Sequence, residues 1–177
     1  NCNRPFPAAP RALAMGAEET MLTDATRAKF TEAGLNLIQQ ALSIYDSDLR
    51  LVAANRRFRE MFDFPAWLAA PGASFEDTIR YLVERGEYGP VDDPDEAIRL
   101  RVDQARAFQP HYFERERPDG RWISVEGSPL KQGGWVAVYT DITAIKRQEV
   151  LLRARSEELS DQLLTHAERL SETNRAL

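Results

Sequence analysis

The chain has 177 residues, of which 43% are hydrophobic, and a formal net charge of -5. That leaves room for one domain of ordinary size with appended segments, and enough apolar residues for a real core. The acidic balance offers no basic face of the kind a nucleic-acid binder presents, and no apolar run is long enough to span a bilayer.

Residues 1–23 hold Pro5, Pro7 and Pro10 and show no clear period, so they read as a mobile leader. They lack the charged start and continuous apolar stretch of a signal peptide. Cys2 is the one cysteine and has no internal disulfide partner, which suits a reducing, cytoplasmic compartment. Asp24 can cap an amphipathic helix over residues 24–41, with Phe30, Leu37, Ile38 and Ala41 at helical spacing.

From 42 the pattern changes. Leu42, Ile44, Leu49, Leu51 and Val52 surround Asp46, Ser47 and Asp48, which fits two strands about a polar turn. Asn55 can cap a short helix carrying Phe58, Met61 and Phe62, ended by Pro65. Trp67 and Leu68 add a turn. Ser74 opens a helix with Phe75, Ile79, Leu82 and Val83 on one face, and Gly86 is its stop. Asp93 caps another, with Pro94 at its first position, Glu96 at its positive end, and Ile98, Val102 and Ala105 as its buried stripe.

Three strands follow over residues 111–117, 122–128 and 135–140. Asp119-Gly120 and Gly133-Gly134 supply the hairpin turns between them. The order of elements predicts an α+β domain with an antiparallel sheet of about five strands.

No Gly or Pro occurs from Ala144 to Leu177, which predicts a helix about 50 Å long. Steps of three and four pick out Ile142, Ile145, Glu149, Leu152, Ser156 and Leu159, then Leu163, His166, Leu170, Thr173 and Leu177. Such a seam predicts a coiled coil with a second copy of the chain. Its polar members would leave the pair close to an alternative register, as a relay with two states requires.

Catalytic chemistry is hard to assemble from these residues. There are two histidines. His166 sits on the seam, where a polar residue sets register. His111 begins a strand, where a polar strand residue is the plain reading and a haem ligand the sharp one. No His or Cys cluster suits a metal, and Asp92, Asp93, Asp95 and Glu96 are spaced as a helix start. No phosphate-binding glycine loop is present. Trp67, Trp122 and Trp135 read as core or interface residues.

Taken in order, these pieces resemble the PAS family of bacterial sensory domains. They are the strand pair over 41–55, the Asn55-Arg56-Arg57-Phe58 helix start, the Arg117-Pro118-Asp119-Gly120-Arg121-Trp122 hairpin and Asp141-Ile142-Thr143. Residues 84–90 are similar to a subgroup found in sensor histidine kinases. The resemblance implies a PAS-like sensory domain over 42–143, helices on one face of its sheet, and a signalling coiled coil over 144–177. It also implies that Asp141 and Thr143 relay the signal from sheet to helix. Read as residues alone, the pair could equally be a plain helix cap.

In that family a ligand would lie between the sheet and the middle helices. Leu42, Ile44, Phe113, Val125, Val136 and Val138 are the expected strand contacts. Phe58, Met61, Phe62, Ile79 and Leu82 are the expected helix contacts. The cysteine that light-sensing relatives use to bond flavin is missing from the middle helices, so that adduct is not expected, while flavin held without a covalent bond stays open; haem is not expected because His111 reads as a polar strand residue, and the ligand's identity stays open. The function expected is a dimeric, non-enzymatic module that passes a conformational signal to an output domain in the same polypeptide, a histidine kinase by analogy. A ligand-free dimerisation or adaptor module is the alternative.

Overall fold

The structure is a computed structural model of the chain. It describes the backbone of residues 15–175, and the side chains from residue 23 on. The chain divides into two units, one ending at Gln39 and the other beginning at Gln40.

The first unit is helix α1, Met15–Leu37. It begins inside the segment expected to be a mobile leader, because Ala17, Glu18, Glu19, Met21 and Leu22 are strong helix formers that outweigh Gly16. Residues 1–14 of that leader lie outside the described residues. The helix also stops short of 41: Ala41 belongs to the first strand, and Phe30 and Leu37 lie exposed on α1.

The second unit is an α+β sandwich. Its strands are β1 (Ala41–Tyr45), β2 (Leu51–Ala54), β3 (His111–Glu116), β4 (Trp122–Pro129) and β5 (Trp135–Asp141). They form one five-stranded sheet in the order β2-β1-β5-β4-β3, and every pairing is antiparallel. Between β2 and β3 run α2 (Arg56–Phe62), a 3-10 turn (Ala66–Leu68), α3 (Phe75–Glu84) and α4 (Pro94–Arg106). After β5 comes α5, Thr143–Arg175.

Local chemistry explains the boundaries. Asn55, Ser74 and Asp93 each accept a hydrogen bond from the amide three residues on, which satisfies a free donor at a helix start. Asn55 does more than cap. Its Oδ1 also accepts from the Leu42 amide at 3.0 Å and its Nδ2 donates to the Gln40 carbonyl at 2.8 Å, tying α2 to the entry of β1. Helix α2 ends on Asp63 in the left-handed conformation, two residues before Pro65. In the β3–β4 turn only Gly120 has positive φ, so the loop is a reverse turn closed by one left-handed residue.

One face of the sheet carries the core. Ala41, Tyr45, Ile123, Val125, Trp135 and Ala137 are buried on it, beneath Phe58 and Phe62 of α2. This corrects the expected inward set. Leu42 and Ile44 pair with Val138 and Val136 on the opposite, outer face. Alternate strand residues point to opposite faces, so the inward residues of β1 and β5 are the odd-numbered ones. Both faces are apolar here, and the pattern within a strand could not choose between them. Phe113 pairs with Val125 and shares its inner face, but at the open end of edge strand β3 it remains 46% exposed.

Candidate functional site

Side chains converge at two places on the domain: the interior between sheet and helices, and the junction where β5 becomes α5.

The interior begins with the helix residues. Phe58, Phe62, Ile79 and Leu82 are buried, and Met61 packs beside them partly exposed. The phenyl rings of Phe58 and Phe62 lie 5.8 and 5.0 Å from the ring of Tyr139 on β5. At the β3 end, the His111 imidazole lies 5.5 Å from Phe113 and 5.1 Å from Trp135. Gly127 lets that happen. A Cβ there would collide with the Trp135 and His111 rings, which lie across it.

A charged cluster closes one flank. Glu87 accepts from Arg117 Nε at 2.8 Å and from Arg115 at 2.9 Å. Arg117 also donates to the Met61 carbonyl at 2.7 Å. Glu87 and Arg117 are only 9% and 8% exposed, so their charges are held out of water by one another. Arg115 and Arg101 stand over the Tyr88 ring at 5.0 and 3.9 Å. The sequence marked Arg117 in the hairpin motif and Glu87 and Tyr88 within residues 84–90, but gave no sign that they pair. Glu87, Arg115 and Arg117 sit in segments that read as turn or strand, and their ion pairs unite positions 28 to 30 residues apart.

At the junction, Asp141 and Thr143 do what a helix cap does and more. Asp141 Oδ1 accepts from the Thr143 amide at 3.0 Å and from its hydroxyl at 2.6 Å. The Thr143 hydroxyl in turn accepts from the Trp122 amide at 2.9 Å, and the Ile142 amide donates to the Trp122 carbonyl at 2.9 Å. The start of α5 is therefore stitched to the start of β4. The Thr143 hydroxyl and amide together hold the Asp141 carboxyl below the usual carboxylate range.

A second tie was missed in the sequence. Lys146, one turn into α5, forms an ion pair with Glu114 on β3 and stands 5.4 Å from the Trp122 ring centroid. Lys146 first and the Tyr112 hydroxyl second hold the Glu114 carboxyl low. Only the alternation of β3 could have hinted at it, since Tyr112, Glu114 and Glu116 share one face and Phe113 and Arg115 the other.

Beyond this junction α5 buries nothing. Ile145, Leu152, Leu159, Leu163 and Leu170 are all at least half exposed, and His166 is exposed among them. Leu177, the last expected seam residue, lies outside the described residues. Among the described residues no group of His, Cys, Asp and Glu could hold a metal ion, and no helix is long and apolar enough to cross a membrane.

Comparison with known proteins places this geometry. A family profile described as "PAS fold" matches residues 35–150. The "Non-motile and phage-resistance protein" of Caulobacter vibrioides is 29% identical over 126 residues, covering 70% of this chain and 13% of that protein. "Sensor protein TdiS" of Thauera aromatica is 29% identical over 133 residues, covering 71% of this chain and 23% of that protein. The chain thus spans less than a quarter of the length of either curated relative. Among solved structures, the PAS domain of BvgS from Bordetella pertussis aligns over 76% of this chain and 98% of its own, with 18% identity and a TM-score of 0.49.

Proposed function

The chain belongs to the PAS family, and from that premise we propose that it is a sensory module that dimerises through α5 and relays a change in its sheet to an output domain of the same polypeptide. The observation that carries the reading is the continuity at the junction. Asp141, Thr143 and Lys146 fasten the first turn of α5 to β3 and β4, and an exposed apolar stripe runs on from there. A helix so exposed gains little from its own subunit, because long helices in water draw most of their stability from packing. Pairing with a second copy along Leu152, Leu159, Leu163 and Leu170 would supply it.

The relay then has a definite mechanical form. Strand β3 presents Arg115 to the buried Glu87 on one side and Glu114 to Lys146 on the other. A ligand that shifts β3 or β4 would shift the anchor points of α5 with them. Glu149 and Ser156 lie on the expected seam and weaken it locally, which keeps a second register within a few kcal/mol. A histidine kinase is the output domain we favour, since a sensor protein is among the relatives, and a reducing cytoplasmic setting suits such a module.

Light scattering on the whole chain tests the reading. A dimer is expected, and Leu159→Glu combined with Leu163→Glu should give a monomer whose sheet and helices are retained by circular dichroism. A native chain that is monomeric at micromolar concentration would sink it.

A further inference from the structure

The sheet has two edge strands, β2 and β3, and the chain treats them differently. At β2 it folds back on its own edge. The Leu51 amide donates to the Ala73 carbonyl at 2.8 Å, the Gly72 amide donates to the Leu51 carbonyl at 2.7 Å, and Arg50 and Ser74 form a bridge. Among the described residues no such return segment covers β3.

The β3–β4 hairpin fixes which backbone groups are left open. The Arg117 amide donates to the Arg121 carbonyl, and residues along an antiparallel strand alternate between bonding the partner and facing away from it. His111, Phe113 and Arg115 therefore bond β4, and the amides and carbonyls of Tyr112, Glu114 and Glu116 face outward. The side chains are open as well: Tyr112 is 61% exposed and Phe113 46%. An edge of this kind is a template for another strand. An inward-pointing charge often guards such an edge, but the one here, Arg115, is already paired with Glu87 at 2.9 Å.

We propose that β3 pairs with β3 of a second copy of the chain, antiparallel about a twofold axis at Phe113, so that the two sheets join edge to edge. The side chains select both the partner and the register. A twofold axis sets inner residues opposite inner and outer opposite outer, which leaves few registers that use the open groups. With the axis at Glu114, two carboxylates meet. With the axis at Arg115, two guanidinium groups meet and Glu114 faces Glu116. Like charges directly opposite destabilise a sheet. With the axis at Tyr112, Glu114 faces Pro110, which has no amide to donate. With the axis at Phe113, two apolar rings meet where opposed side chains come closest, and Tyr112 faces Glu114 with both backbone bonds exchanged. Those two side chains suit each other, since within one chain the Tyr112 hydroxyl donates to Glu114 at 2.9 Å.

The same axis suits the long helix. Lys146 reaches Glu114 on the outer face, so an axis at Phe113 brings the first turns of both α5 helices to one side of the joined sheet, beside the axis. The edge contact goes beyond the pairing of α5 and does not require it. It is small, so by itself it holds only at high concentration, and a chain whose α5 seam is broken stays monomeric at micromolar concentration.

Disulfide trapping on the whole chain tests this, with Cys2→Ser removing the native thiol. In oxidised glutathione, Phe113→Cys should link to a second copy about tenfold faster than Tyr112→Cys or Glu114→Cys, because only position 113 meets itself within bonding distance. Mixed together, Tyr112→Cys and Glu114→Cys should link to each other faster than either links to itself, which reads the register with Phe113 intact. Equal rates at every position would show random collision and overturn the proposal. Fastest self-linking at position 114, or no linking in any combination, would also overturn it. Light scattering on the native chain keeps the two ideas apart. A dimer that does not link along β3 leaves the coiled coil standing without this contact, and a monomer that links through position 113 does the reverse.

Discussion

In the domain that runs from β1 to β5, Phe58, Leu68 and Ile123 are no more than 1% exposed; on α5, Leu163 is 71% exposed and no residue is buried. The same residue class is used in opposite ways. Buried in its own subunit, an apolar side chain fixes one conformation and its contribution does not depend on concentration. Left exposed along a helix, it fixes nothing alone, and under the pairing proposed above it would serve association, whose extent rises with concentration. The junction at Asp141 and Thr143 is where the first regime hands over to the second.

The contrast is sharpest for large side chains. Phe58→Ala should lower the unfolding free energy of the domain by about 3–5 kcal/mol, read from urea denaturation. Leu163→Ala should leave the same transition unchanged to within about 0.5 kcal/mol at concentrations too low for pairing. It should shift the monomer–dimer midpoint instead. Equal losses for the two would break the comparison.

Charge gives the next largest effect. Glu87→Gln leaves Arg115 and Arg117 facing each other without their carboxylate, and should cost about 3 kcal/mol in urea denaturation, since a buried charge loses its partner.

At the junction the effects shrink to single hydrogen bonds. Thr143→Val keeps the shape and removes the hydroxyl that bridges Asp141 and Trp122, for a loss of about 1 kcal/mol and faster amide exchange at Trp122. Thr143→Ser should restore both.

Acid acts on the same bond. The folded Asp141 carboxyl is held low, so its contribution is complete above the unfolded value of about 3.9 and fades as pH falls through the lower folded value. Between pH 5 and pH 2 the native chain should therefore lose more stability than Asp141→Asn, measured by melting temperature. The smallest expected effect is that of Lys146→Gln. Its ion pair is partly exposed, so the melt should barely move, while amide exchange in the first turn of α5 quickens.

Much of this architecture was legible in the chain because the signals were local. The three caps at Asn55, Ser74 and Asp93 and the turns at Gly120 and Gly133 depend on residues a few positions apart. The helix contacts Phe58, Phe62, Ile79 and Leu82 followed from a period of 3.6 and lie in the core. The strand contacts were harder. On β1, Leu42 and Ile44 alternate with Ala41, Ser43 and Tyr45, and the larger aliphatic pair is the one turned outward. The Lys146–Glu114 tie and the Glu87 cluster joined residues that no periodicity connects.

By itself the sequence determined which segments from residue 42 on are helix and strand, and that a long helix follows the sheet with its leucines in file, while both ends of α1 escaped it. Tertiary structure alone decided which face of β1 and β5 meets the helices, which arginines share Glu87, and that Ser43 and Tyr45 are buried on the inner face. The reason is range. Capping, turn geometry and helical period are settled within a few bonds of each residue, whereas burial and charge pairing depend on segments that only the folded chain brings together.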